Sequence, residues 1–161
     1  MNVFDCAIKI EEEARKYYET ISSQSSEPDM KHLFTMLAAS EEEFRDQLVN
    51  LKTTLAPELA KADAMDGAAC SFRPLLTERE LLEIVKDDHD LYQLSMREVE
   101  EEIRFYEELA AKTKDPATRN CLKMLAEEER RHLSVVENIY EFVEAPKTYL
   151  AWGEFSNLKD L

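Results

Sequence analysis

Glycine is nearly missing from this chain. There are two glycines and five prolines in 161 residues, too few turn-formers for an all-β fold. Basic charge is also short: 20 Lys and Arg stand against 35 Asp and Glu, a net charge of -15. A nucleic-acid binder needs the opposite sign or at least a basic stripe, and none is found. The acidity draws cations toward the protein, although most of it reads as solvated helix surface. Cysteine is scarce: Cys6, Cys70 and Cys121 form no CxxC pair. They are too few for a tetrathiolate metal site and too scattered for a disulfide framework, and their odd number suits a reducing compartment. No apolar run approaches the ~20 residues that span a bilayer. The opening residues, Met1 to Asp5, lack the basic and apolar stretches of a signal peptide. The expectation is a cytoplasmic protein that contacts neither membrane nor nucleic acid.

What the chain does have is a repeat. Shifted by 88 residues, it reads onto itself without a gap: Tyr18-Glu19 falls on Tyr106-Glu107, Pro28 on Pro116, Met36-Leu37-Ala38 on Met124-Leu125-Ala126, and Glu41 on Glu129. Such a repeat outranks local signals in deciding a fold. Each half holds about two helices, which predicts two helical hairpins paired into one all-α four-helix bundle. The helices are expected over roughly 3–22, 29–52, 77–112 and 115–143. Pro28 and Asp115-Pro116 act as start signals, and Thr77-x-x-Glu80 forms a capping box. A long crossover over about 53–76 joins the hairpins, as in bundles with a single crossover; residues 58–65 are a candidate short helix within it. The bundle domain is set at residues 1–145. Pro146 is expected to end the last helix, leaving 146–161 as a tail with Tyr149, Trp152 and Phe155, packed on the bundle or on a partner subunit.

At 100° per residue, the inward stripe of the first helix is Phe4, Ala7, Glu11, Ala14, Tyr18 and Ile21. That of the second is Phe34, Leu37, Glu41, Phe44, Leu48 and Leu51. That of the fourth is Leu122, Leu125, Glu129, His132, Val136 and Ile139. Glu42, Glu43, Glu127 and Arg130 point outward. Each stripe has polar residues at its middle, where a bare carboxylate is expensive and a bound cation is the usual compensation. In the third helix the repeat sets Val99 opposite Glu11, so one expected carboxylate is missing. Glu102 falls near the centre of that helix's apolar stripe, Glu98 nearer an edge and Glu101 further out. Glu102 is therefore the chosen carboxylate, with Glu98 in support.

Glu129-x-x-His132 presents a carboxylate and an imidazole on one helix face, a known way to offer two ligands inside a bundle. Glutamates can bridge two metals, and imidazole suits iron, zinc or manganese. The competing interpretation is a buried Glu-Tyr-His hydrogen-bond network without metal, with hydroxyls from Tyr18 and Tyr106. Asp87-Asp88-His89-Asp90 is read as an outer-face cluster, His32 as a surface histidine, and Met30, Met36, Met96 and Met124 as core filler.

Glu11-x-x-Ala14-x-x-x-Tyr18, Leu37-Ala-x-x-Glu41, Phe105-Tyr106-Glu107 and Leu125-Ala-Glu-Glu-Glu129-Arg-Arg-His132 resemble the rubrerythrin-like branch of the ferritin-like superfamily. The resemblance covers about residues 3–143, and the ending from Ala145 to Leu158 is similar to that of short members. It implies a carboxylate-bridged di-iron centre, usually in a homodimer, and reduction of hydrogen peroxide or handling of iron and oxygen. Glu11 and Glu41 would serve one metal and Glu129 and His132 the other, with Glu41 and Glu129 bridging. Tyr18 and Tyr106 would donate hydrogen bonds around the ligands.

Three departures stand out. The cysteine-ligated electron-donor module of full rubrerythrins is missing, so turnover would need an external reductant, such as a rubredoxin-type protein. Phe44 replaces the histidine of the first Glu-x-x-His motif. Val99 takes a slot where short members often carry glutamate, and an alternative register would use Glu98 and Glu101 instead. The resulting expectations are a working di-metal site open at the first metal, a site reduced to one metal, or a bundle kept for binding or scaffolding alone.

Overall fold

The computed structural model describes residues 1–84 and 87–159, the side chains of 88 and of 142–159 excepted. The described elements are all helical, in the order α1 (Val3–Gln24), α2 (Pro28–Thr54), α3 (Ala56–Leu59), α4 (Glu78–Ile84), α5 (Asp88–Lys112) and α6 (Pro116–Lys159). Helix α1 packs along α2 and α5 along α6, so the two repeats are two hairpins of an all-α ferritin-like bundle.

The helix starts follow local chemistry. Asn2 caps α1 by accepting from Asp5 N–H at 2.8 Å. The Thr77/Glu80 capping box forms in both directions, with Thr77 N–H donating to Glu80 and Glu80 N–H to Thr77 Oγ1. The expected third helix is nevertheless two. Asp87 is extended and accepts from Asp90 N–H, which starts α5 afresh because an N-capping Asp satisfies an otherwise orphaned helix donor. The acidic run around His89 is thus a helix start, and His89 Nδ1 lies 2.9 Å from Tyr140 Oη.

Other boundaries move as well. The short crossover helix is α3, earlier and briefer than expected. Helix α6 continues past Pro146 to Lys159; proline removes one N–H donor at a cost of about 3 kcal/mol, which does not oblige a helix to end. The side chains of Tyr149, Trp152 and Phe155 lie outside the described residues. His32 is exposed; Met30, Met36 and Met96 are half-buried, whereas Met124 lies on the surface. Most unexpected is a disulfide between Cys6 on α1 and Cys70 in the crossover, 64 residues apart in sequence. It removes the support that an odd cysteine count lent to a reducing compartment. No helix among the described residues is long and apolar enough to cross a membrane.

The core is divided. One apolar cluster gathers Phe4 and Ala7 of α1, Phe44 and Leu48 of α2, Tyr106 and Ala110 of α5, and Leu122 and Leu125 of α6. A second gathers Tyr18 and Ile21, Phe34 and Leu37, Leu91, Leu94 and Val99, and Val136 from the same four helices, and a small third joins Cys6, Ile10 and Cys70. Burying each large apolar side chain is worth about 1.5–3 kcal/mol, so the first two clusters each fix one end of the bundle. Glu11, Glu41, Glu102, Glu129 and His132 fall between the two along their helices. They form a polar layer whose walls are set by apolar packing above and below.

Candidate metal centre

The stripe expected of α1 is buried throughout, as are Glu41 and Phe44 on α2 and Glu129 and His132 on α6. Glu42, Glu43, Glu127 and Arg130 are exposed. A turn of helix separates Glu129 from His132, so both side chains leave α6 on its inward face. Their surroundings are dry: Glu11 is 0% exposed, Glu129 1% and His132 3%. Glu102 is only half-buried.

Ligand-type atoms meet in two overlapping groups. Glu11, Glu41 and His132 form one; Glu11, Glu102 and Glu129 form the other, and within each the atoms lie within 4.8 Å of one another. Proximity therefore puts Glu11 in both groups. His132 stands between the two α2 and α6 glutamates, with Nε2 3.5 Å from Glu41 and Nδ1 3.8 Å from Glu129. The α5 carboxylate in these groups is Glu102. Glu98 is buried but belongs to neither; it accepts a 2.5 Å hydrogen bond from Tyr18 Oη and a 3.4 Å one from Leu75 N–H. Glu101 is exposed and paired with Arg104. Val99 packs in the apolar cluster.

Phe44 and His132 are equivalent positions of the repeat, and their rings stack, with centroids 4.6 Å apart and planes 12° from parallel. The bundle thus brings an imidazole and a phenyl together where two symmetric histidines would have met.

The electrostatics are those of charge confined without countercharge. Burial is the first cause that raises Glu11, followed by the charges of Glu129 and Glu41. Burial again leads for Glu41, for Glu102 with the charge of Glu11, and for Glu129 with that of Glu102. Burial pushes His132 down, which favours the neutral imidazole that can donate a lone pair. Tyr18 is raised by burial and by Glu98, and Tyr106 by burial and by Glu129. Both carboxylate oxygens of Glu11 and of Glu129, both ring nitrogens of His132 and the hydroxyl of Tyr106 are buried without a hydrogen-bond partner. A closed Glu-Tyr-His network would satisfy these atoms; here Tyr106 Oη and both His132 nitrogens lack a hydrogen-bond partner, and the glutamates have only one another's carboxyls against them, a costly burial of polar groups. One or more cations placed among them would satisfy carboxylates and imidazole together. The donor set, carboxylate oxygens with one imidazole, fits iron, manganese or zinc.

A cavity of about 450 Å³ lies between α1, α5 and the crossover, with Ile10, Phe72, Leu75, Glu98, Glu102 and Phe105 among its lining residues. Its crossover wall is pinned to α1. Glu13 accepts from Phe72 N–H at 2.8 Å and from Ser71 Oγ, Tyr17 Oη donates to Leu76 O at 2.6 Å, and Cys70 is bonded to Cys6. None of these anchors was visible beforehand, because Glu13 and Cys70 carry no sequence signal that pairs them.

The family model for rubrerythrin matches residues 2–140 of the chain. No curated protein and no solved structure gives a match.

Proposed function

The chain belongs to the rubrerythrin family, and from that premise we propose that it is a di-iron protein that reduces hydrogen peroxide with electrons from an external donor. The observation that carries this reading is the set of buried, unpartnered donor atoms on Glu11, Glu129 and His132. Glu41 and Glu102 complete the two groups around them. Iron bound there would supply the two electrons that cleave a peroxide O–O bond, one from each ion.

The protein's share is positioning, dryness and proton supply. Glu11, Glu41, Glu102, Glu129 and His132 would hold the ions, and apolar clusters on either side along the helices exclude water. Glu98 sits in the cavity wall with its pKa pushed up to about 7 by burial. A carboxyl poised near neutrality can both give and take a proton, the property wanted of a general acid. Tyr18 holds the Glu98 carboxylate in place. A homodimer is part of the proposal through the family resemblance.

The loss of an imidazole at Phe44 favours a second reading, in which the layer binds one ion without turnover. Anaerobic mixing of ferrous-loaded protein with hydrogen peroxide separates the two. Oxidation of two ferrous ions per peroxide, abolished in Glu129→Ala, is expected of the peroxidase; ferrous protein that leaves peroxide untouched would refute it.

A further inference from the structure

We propose that the cavity beside the polar layer binds the body of an organic hydroperoxide, so that the substrate class extends from hydrogen peroxide to apolar R–OOH. The inference rests on the peroxide-reduction reading and adds a specificity site to it.

Size is the first argument. The cavity holds about 450 Å³, within the 300–1,000 Å³ range of small-molecule sites and far beyond the needs of a two-oxygen substrate. Chemistry is the second. Its lining is mixed: Ile10, Ala69, Phe72, Pro74, Leu75 and Phe105 give an apolar wall, and Ser71, Arg73, Glu98, Glu101 and Glu102 are its polar groups. The third is direction. Leu75 is 45% exposed whereas Ile10 is 4% and Glu98 5% exposed, so the cavity runs from a rim at Leu75 of the crossover and the exposed Glu101 of α5 to a floor at Ile10 and Glu98. Glu102 belongs both to the cavity wall and to the layer of candidate ligands. A molecule entering body-last would turn its polar –OOH end to Glu102 and leave its carbon chain among the apolar side chains.

The crossover is built to keep that wall in place. The Cys6–Cys70 disulfide holds one end, Glu13 holds Ser71 and Phe72, and Glu98 holds Leu75 N–H. Glu98 therefore contacts the crossover and lines the cavity, where it can deliver a proton to the departing oxygen. In the reaction R–OOH takes two electrons and two protons, its O–O bond breaks, and R–OH and water leave. The two electrons would come from ferrous ions held in the layer, one from each.

The test begins on metal-free protein with 1-octanol, the unreactive alcohol product of octyl hydroperoxide, titrated by calorimetry. Saturable binding is expected, weakened at least tenfold in Ala69→Trp, which fills the cavity, and in Leu75→Asp, which charges its exposed rim. Circular dichroism melts identify any variant that misfolds. Ferrous-loaded protein is then given octyl hydroperoxide and hydrogen peroxide in parallel, and the variants should lower the rate ratio of the first to the second. Absence of octanol binding, alongside intact reduction of hydrogen peroxide, would overturn this inference and leave the peroxidase reading standing. Octanol binding with neither hydroperoxide reduced would overturn the peroxidase reading, and the hydroperoxide assignment with it.

Discussion

Glu98→Gln should stabilise the metal-free protein at alkaline pH and do so less at acid pH. Burial is the main cause that raises Glu98 from an ordinary 4.5 to about 7. A folded-state pKa above the unfolded one means that folding is unpenalised while the carboxyl is protonated. Stability is then lost as pH rises past the unfolded value and through the folded one. At about 1.4 kcal/mol for each tenfold change in proton affinity, the full loss is about 3 kcal/mol. About 2.5 kcal/mol of it falls between pH 5 and pH 8.5. Tyr18 Oη and Leu75 N–H donate to different oxygens of Glu98, so the amide keeps an acceptor for only one of them, and that loss applies at both pH values. The readout is therefore the pH dependence of the difference between variant and parent, from urea unfolding at each pH. A gain of about 2.5 kcal/mol from pH 5 to pH 8.5 is expected. A pH-independent difference, or one of opposite sign, would refute the placement of Glu98 as a buried, proton-holding group.

Other consequences can be checked alongside. Replacing Cys6 and Cys70 together by Ser should cost about 4 kcal/mol, since the crosslink closes a span of 64 residues; urea unfolding with and without reductant tests it, and unchanged stability would mean that the bond is not formed. Metal binding at neutral pH should release protons, because Glu11, Glu41, Glu102 and Glu129 all sit above the usual carboxylate range. Calorimetry in buffers of differing ionisation enthalpy reads that release directly, and heats that do not vary with the buffer would contradict it. Phe44→His should tighten zinc binding by tenfold or more in a chelator competition, since its ring already lies against His132; equal affinity would show that position 44 does not face the ions.

Periodicity and the repeat carried most of the fold. The stripe from Phe4 to Ile21 is buried as expected, because a bundle helix can hide only one face and the apolar spacing declares which. The polar layer was legible for the same reason: Glu11, Glu41, Glu129 and His132 interrupt apolar stripes at matching heights. Helix α5 was harder, since Val99 breaks the repeat. A wheel placed Glu102 correctly toward the layer but put Glu98 at an edge, whereas Glu98 is the more buried of the two. The wheel knows the axis of one helix and nothing of the crossover that covers Glu98. The same limit hid the disulfide and the Glu13 anchors, which join residues some 60 positions apart through a segment without periodicity. The break at Asp87 and the run through Pro146 were misjudged because local signals set preferences of only about 1–3 kcal/mol, which neighbouring structure can reverse.

We propose that Glu11, Glu41, Glu102, Glu129 and His132 form a two-ion centre. Elemental analysis of metal per chain tests it most directly, on protein reconstituted anaerobically with ferrous iron and then desalted, beside Glu129→Ala. Two irons per chain, lost in the variant, is the predicted result. One iron or fewer in the parent would contradict it and leave Phe44 as the residue that dismantled the pair.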